Sequence, residues 1–263
     1  MLVRLLLLNA GVRVVLEAVG LVSLAAHGQP VAANVLDLWN RWDAHHFLRV
    51  AEVGYRTGTP PPDDPLYIVF FPFFPLAVRV VSVVFRDLVL SGLMVSFVAS
   101  VGAGFVLHRL VALDASEDEA WRSVLLLLAF PTAYFLAAPY SEALFLFAVL
   151  ASVYAARTGR WARASLFGAV ATGTRVTGVA LAPALIAEAL AEPAPARERA
   201  RRLLWVTLAG AGLLVYLAIN LIAYGDAFWF LDVQRSHWSQ MAVPPWRSIL
   251  DAVGSLMEGT DDP

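Results

Sequence analysis

Apolar positions in this chain come in long blocks, not in alternation. Runs of spanning length, or close to it, lie at about 2–26, 66–86, 88–110, 121–138, 141–156, 164–190 and 203–224. Blocks of this length predict helices in a bilayer, where about 20 apolar residues make one crossing. Nothing repeats, and no low-complexity linker interrupts the blocks. The stretch EPAPARERARR at 192–202 reads as a loop. The first 26 residues are too long for a signal-peptide core and carry no clear cleavage site, so they read as a retained first span.

Arginine placement orients the blocks, because short cytoplasmic loops are rich in basic residues. Arg157, Arg160 and Arg163 crowd one short loop, and Arg197, Arg199, Arg201 and Arg202 crowd another. Only the run 164–190 separates the two, and a single span cannot begin and end on one side. That run is therefore expected to be a helical hairpin broken near Thr177-Gly178, its two short arms sheltered by protein. The run 66–86 contains Pro65, Pro72 and Pro75 at or near its start, and proline breaks a continuous helix. If it only dips into the outer leaflet, both Arg loops stay inside. The expected architecture is an all-α polytopic membrane protein with about seven crossings, some short. One membrane domain spans 1–263: a first span at 1–26, an external loop with juxtamembrane helices at 27–87, a helical bundle at 88–224 and an external segment at 225–263.

Composition agrees. Of 263 residues, 59% are hydrophobic and only 15% charged, against roughly 25% charged in soluble domains. A net charge of −2 gives no reason to expect nucleic acid. There is no cysteine, which removes disulfides, thiolate metal sites and cysteine nucleophiles. All basic residues other than His are Arg.

Against this background LWNRWDAHHFLRVAEVGY, residues 38–55, is unusually polar. On a helical wheel Leu36, Trp39, Phe47, Val50 and Gly54 share one face, and Arg41, His45, Arg49 and Glu52 the other. Asp43 falls on the apolar face, where a carboxylate is costly unless compensated. It is either a structural group, capping a helix or paired with an Arg, or a chemical group aimed into a cavity. Glu142 opens a span after Pro139-Tyr140-Ser141, and Arg175 sits in TGTRVTG at the tip of the expected hairpin. Each has a plain alternative: a helix N-terminus favours Glu142, and Arg175 can snorkel to the interface. All three nevertheless converge on one leaflet under one topology.

These segments carry a family resemblance. WDAHHFLRVAEVGY (42–55), FFPFFPL (70–76), FPTAYFLAAPYSEALF (130–145) and TGTRVTG (172–178) resemble the PIG-V-like mannosyltransferases, meaning the GPI mannosyltransferase 2 family and its bacterial relatives among the GT-C glycosyltransferases. QRSHW…PPW at 234–246 resembles a later external motif. The resemblance implies a polytopic enzyme with a catalytic acidic residue in its first external loop, flanked by juxtamembrane helices. It implies Asp43 as that residue, FFPFFPL as a juxtamembrane helix, and a polyprenyl- or dolichyl-phosphate sugar donor, usually mannose. Phe130 stands where eukaryotic members tend to have Asn, which points to the bacterial branch. Family members usually continue beyond the position of Pro263, so the resemblance implies a piece of a longer protein or a short form.

The expected function is a membrane glycosyltransferase in the plasma membrane with its site on the external face. It would move a mannosyl-type sugar from a polyprenyl-phosphate donor to a hydroxyl of an unknown acceptor, whether glycolipid, glycan or protein. Asp43 is the expected general base or acceptor-orienting group. Arg175, with His46 and His45 behind it, is expected to hold the donor phosphate. Glu142, Tyr140, Trp42, Gln234, Arg235 and His237 are candidate acceptor or sugar contacts. No cofactor and no metal are expected, since no tight ligand spacing is present. Two other readings stay open: a lipid or sugar transporter or flippase using the same cavity, and a non-catalytic subunit of a membrane complex.

Overall fold

The structure, a computed structural model, describes residues 1–28, 35–55, 65–191, 193–238 and 244–258. Among these the protein is all α. Helix α1 (Leu2–Ala26) is apolar around its circumference and leads to α2 (Asp43–Val53) and α3 (Phe73–Phe85). The bundle follows: α4 (Leu88–Val111), α5 (Glu117–Ala129), the short α6 (Tyr134–Ala137), α7 (Glu142–Arg157), α8 (Trp161–Thr174), α9 (Leu181–Ala191), α10 (Ala196–Leu208) and α11 (Ala211–Tyr224). Helices α12 (Trp229–Trp238) and α13 (Pro245–Glu258) come last.

Local chemistry sets the boundaries. The Asp87 carboxylate accepts from the Leu90 amide at 2.7 Å and starts α4. Ser116 and Glu119 form a reciprocal capping box at the start of α5. The stretch 192–202, expected as a loop, is helical from Ala196, and Glu192 lies outside the described residues. Pro195 fits just before the first turn, and Glu198 pairs with Arg201 and Arg202 three and four positions on.

The helices run between two poles. At one, Arg157 grips Asp114 at 2.5 and 2.9 Å, His108 meets Glu117 at 3.0 Å, and the Arg4 and Arg202 guanidiniums cover Trp121 and Trp161. This is the arginine-rich pole. At the other, Phe47 of α2, Phe74 and Val78 of α3, Leu93 and Val95 of α4 and Tyr140 share one core. Val81 of α3, and Leu88 and Val89 just beyond its end, pack against the same core, so both ends of α3 lie near this second pole, as expected for the proline-rich run 66–86.

The expected hairpin is present. α8 ends at Thr174, a 3-10 turn spans Val176–Ala180, and α9 returns. Leu185 and Ala189 pack beside Ala155, Ala156 and Trp161 at the arginine-rich pole, where Glu188 also raises the Arg157 pKa, after the Asp114 hydrogen bond. The arms are 14 and 11 residues long. Among the described residues three helical segments are long and apolar enough to cross a bilayer: α1, α4 and the continuous Ala196–Tyr224. A fourth is counted if α5 and Pro131–Ala137, bent by 74°, make one span. About seven crossings were expected, and α7, α8 and α9 reach from pole to pole below full spanning length.

Polar contacts and close backbones hold the bundle, as expected where lipid removes the hydrophobic drive between helices. Ser100 donates to the buried Asn9 Oδ1 at 2.6 Å, and Thr172 donates to the Ala209 carbonyl at 2.9 Å. The tightest approach joins α11 to α8: a Cβ at Gly212 would lie 1.9 Å from the Ala169 oxygen and 2.4 Å from the Gly173 nitrogen. Gly173 in turn leaves no space beside the Phe73 ring, whose nearest atom would be 2.6 Å from an added Cβ. Gly212→Val should therefore cost about 1–3 kcal/mol by overpacking, read as a lowered thermal midpoint in detergent. Gly254→Ala, with nothing within 4 Å of its Cβ position, serves as the unaffected control.

Candidate active site

Helix α2 begins at Asp43, not upstream as the wheel assumed. Val35–Leu38 is a separate 3-10 turn, so Leu36 and Trp39 do not continue the α2 face. The buried stripe of α2 is Ala44, Phe47, Leu48, Val50 and Ala51, and Asp43 is exposed at its edge. The expectation of a carboxylate embedded in an apolar face is thus corrected. As the first residue of α2, Asp43 has no helical turn before it, so its carboxylate projects past the end of the helix and into solvent, although Phe47 and Val50 lie on the same face four and seven positions on. The turn into α2 uses Trp42 at φ 48°, a conformation rarely adopted by a bulky side chain. The His45 ring nitrogen lies 2.7 Å from the Trp42 carbonyl oxygen, and Tyr140 donates to the Arg41 carbonyl at 3.0 Å. Together these contacts hold the residues just before and after Asp43.

A cavity of about 240 Å³ opens beside it. Its wall brings together Asp43 from α2, Ser141 and Glu142 from the start of α7, Thr174, Arg175 and Thr177 from the hairpin tip, and Gln234 from α12. Phe47, Phe70 and Phe71 supply an apolar side. The Arg175 Nη1 donates to Glu142 Oε1 at 2.5 Å and to Ser141 Oγ at 3.0 Å. The second Glu142 oxygen is buried and has no hydrogen-bond partner. No described side chain hydrogen-bonds or ion-pairs with the Asp43 carboxylate, so it neither caps a helix nor pairs with an Arg. Among the described residues Arg175 is the one basic side chain in the wall, paired with Glu142 and sharing the cavity with Asp43.

Four of the ten residues singled out from sequence, Asp43, Glu142, Arg175 and Gln234, line this cavity. The others stand around it. Tyr140 is buried in the core behind it, where burial pushes its phenol up to about 12. Trp42 is 71% exposed and meets Tyr134 edge-on. His45 is exposed on the outside of α2. Arg235 pairs with Asp232 at 3.2 Å on the surface of α12, and the His237 ring lies against Ser236 and the Val233 carbonyl. Residues 239–243 of the QRSHW…PPW stretch lie outside the described residues. Ser141, Thr174 and Thr177 were not singled out, yet all three belong to the PYSE and TGTRVTG stretches that supplied Glu142 and Arg175. Among the described residues no three His, Asp or Glu side chains cluster as a metal site.

His46 stacks on Phe70 at 4.9 Å and meets Tyr67 edge-on, with its Nδ1 buried and unpartnered. Burial, and then the neighbouring His45, lower its pKa from the ordinary 6.5, while Asp43 partly opposes this. Just below that value the unfolded chain binds more protons than the folded one, so this group makes stability fall as pH drops. Melting temperature should decline between about pH 7 and pH 5.5, and His46→Phe should flatten that decline. An unchanged slope in the variant would assign the acid sensitivity to other groups.

A second cavity adjoins the first at Glu142. It is apolar, about 320 Å³, and lined by Leu126, Phe130, Phe135, Leu136 and Leu146 among others. It lies where α5 and α6 bend, and Leu126 and Phe130 are exposed at its mouth.

Comparison with known proteins bears on this geometry. The model of the family described as Mannosyltransferase (PIG-V) matches residues 2–225. GPI alpha-1,6-mannosyltransferase 2 of Cricetulus griseus is 37% identical over 155 residues, covering 53% of this chain and 29% of that protein. The protein of the same name from Rattus norvegicus is 36% identical, and that from Homo sapiens 34%, over the same shares of each chain. The matched region thus covers less than a third of these relatives' length. No solved structure matches. The family match takes in the α2 start, the PYSE turn and the hairpin tip, which together make most of the cavity wall, and the chain belongs to the PIG-V mannosyltransferase family.

Proposed function

We propose that the protein transfers a mannosyl group from a polyprenyl-phosphate donor to an acceptor hydroxyl on the external face of the plasma membrane. The observation that carries this reading is the pairing, in one cavity wall, of an unpartnered carboxylate at Asp43 with a guanidinium at Arg175. Asp43 takes the proton of the acceptor hydroxyl, or orients that hydroxyl. The acceptor oxygen bonds to the anomeric carbon as the bond from that carbon to the phosphate oxygen breaks. The electron pair leaves with the polyprenyl phosphate, and Arg175 holds the charge it develops.

Glu142 and Ser141 keep Arg175 aimed into the cavity before the donor arrives, and the unpartnered Glu142 oxygen then accepts from a sugar or acceptor hydroxyl. Gln234, Thr174 and Thr177 offer further hydrogen bonds to a hydroxylated ligand. The apolar cavity beyond Glu142 suits the donor's hydrocarbon tail, which reaches it from the bilayer. The arginine-rich pole faces the cytoplasm by the positive-inside tendency, which leaves the cavity on the opposite side. The test is transfer of labelled mannose from polyprenyl-phosphate mannose by membranes containing the protein, compared with membranes lacking it. Label in a new product supports transfer. Movement of intact donor across the bilayer without a product assigns the cavity to transport.

A further inference from the structure

Outside the active site, one charged side chain lines an apolar groove on the lipid-facing surface. The groove is about 210 Å³ and lies between α2, α3 and α11, with Val50, Ala51, Leu76, Val215, Ile219 and Arg79 in its wall. Leu76 is 56% exposed and Val215 45%, so the groove opens sideways. Arg79 is exposed on α3 and is the only charged residue among the described residues of the wall. Its helix neighbours Leu76, Val80 and Val83 are all exposed, so the guanidinium emerges from a surface built for hydrocarbon. The Ser82 hydroxyl donates to the Arg79 carbonyl at 2.8 Å, and no described side chain hydrogen-bonds or ion-pairs with the guanidinium itself.

We propose that this groove is a seat for one anionic glycerophospholipid of the bilayer, with its phosphate on Arg79 and its tail between α3 and α11. An Arg on a lipid-facing helix must reach headgroup level or meet an anion. Because α3 has both ends near the same pole as the active site, Arg79 lies within reach of that headgroup layer. The planar guanidinium fork matches phosphate oxygens. A lipid phosphate brings with it the hydrocarbon that the rest of the groove fits. The groove and the Asp43–Arg175 cavity share no wall residue, whereas the apolar cavity at Glu142 does adjoin that site. This separates the seat from the donor's own path. A lipid there would tie α2, which carries Asp43, to α3 and α11.

The experiment reconstitutes the protein in nanodiscs containing phosphatidylglycerol or phosphatidylcholine with a photoreactive group in the tail, and maps the cross-linked peptides. Expected is several-fold stronger labelling of the α3 and α11 peptides by phosphatidylglycerol. Arg79→Gln should reduce it to the phosphatidylcholine level. Val215→Trp, which fills the groove from its open side, should block labelling by both. Arg79 is exposed, so its variant should fold even if the groove variant does not. Equal labelling by the two lipids in the wild type would mean ordinary annular contact and overturn the proposal. So would an unchanged preference in Arg79→Gln, or displacement of the label by polyprenyl-phosphate mannose, which would make the groove part of the donor site.

Discussion

Asp43→Asn should lower mannosyl transfer by about 10²- to 10⁴-fold, the usual contribution of a positioned general base, with little change in thermal midpoint. The stability half of this expectation follows from the surroundings of the side chain. It is exposed, accepts no hydrogen bond from another described side chain and lies at the N-terminal end of α2, before the first of its buried residues. Asparagine keeps the shape and one acceptor oxygen but cannot take a proton. Asp43→Ala removes both. If both variants fall equally, the carboxylate acts as base. If Asn retains most of the rate and Ala does not, the group orients the acceptor. Full transfer of labelled mannose by both would remove Asp43 from the reaction altogether.

Arg175→Ala should raise the apparent KM for polyprenyl-phosphate mannose by about 10- to 100-fold, as the loss of a charge-assisted hydrogen bond worth roughly 1.5–3 kcal/mol implies. Arg175→Lys should fall between, since an ammonium keeps the charge and loses the bidentate fork. The same geometry predicts the opposite effect at the ion-pair partner of Arg175. Glu142 holds Arg175 at 2.5 Å and competes with any incoming phosphate. Glu142→Gln should therefore lower the donor KM while weakening the steps that need a sugar or acceptor contact. A donor response unchanged in Arg175→Ala would mean that the guanidinium serves only to reach the interface. Because Arg175 is partly exposed, its loss should cost little stability, so donor titrations on correctly folded protein are expected to be feasible.

The placement of these residues explains why a few short motifs carry the site. The α2 start, the PYSE turn and the TGTRVTG tip are all helix ends, where the chain changes direction and side chains project past the backbone. Gly212 against Gly173, and Gly173 against Phe73, press α11, α8 and α3 together directly beneath Arg175. The Tyr216 hydroxyl donates to the Ile68 carbonyl at 2.6 Å and its ring stacks on Phe71, which is itself in the cavity wall. Asn220 bonds the Phe230 amide at 3.2 Å, which brings α12 and Gln234 to the same wall.

Much of this was legible along the chain. Block hydrophobicity alone specified an all-α membrane protein, because backbone groups in lipid must be satisfied within helices. Counting arginines led to the expectation of a hairpin at 164–190 and, together with Pro65, Pro72 and Pro75, of a non-crossing run at 66–86, since charge on short loops follows the side of the membrane. Motif content singled out Asp43, Glu142, Arg175 and Gln234. What needed three dimensions was where a helix begins and what a side chain meets. A wheel extended through Val35–Leu38 buried Asp43, whereas the turn at Trp42 starts α2 afresh and leaves that carboxylate open to the cavity. The stretch from Ala196, read as a loop from its Pro/Ala/Arg content, has no buried residue before Val206 and is helical by local chemistry, with Pro195 before its first turn and Glu198 paired with Arg201 and Arg202. The ion pair of Arg175 with Glu142, 33 residues apart in sequence, the burial of Tyr140 and the half-burial of His46 against Phe70 and Tyr67 are instead products of tertiary packing, which no periodicity along a single helix encodes.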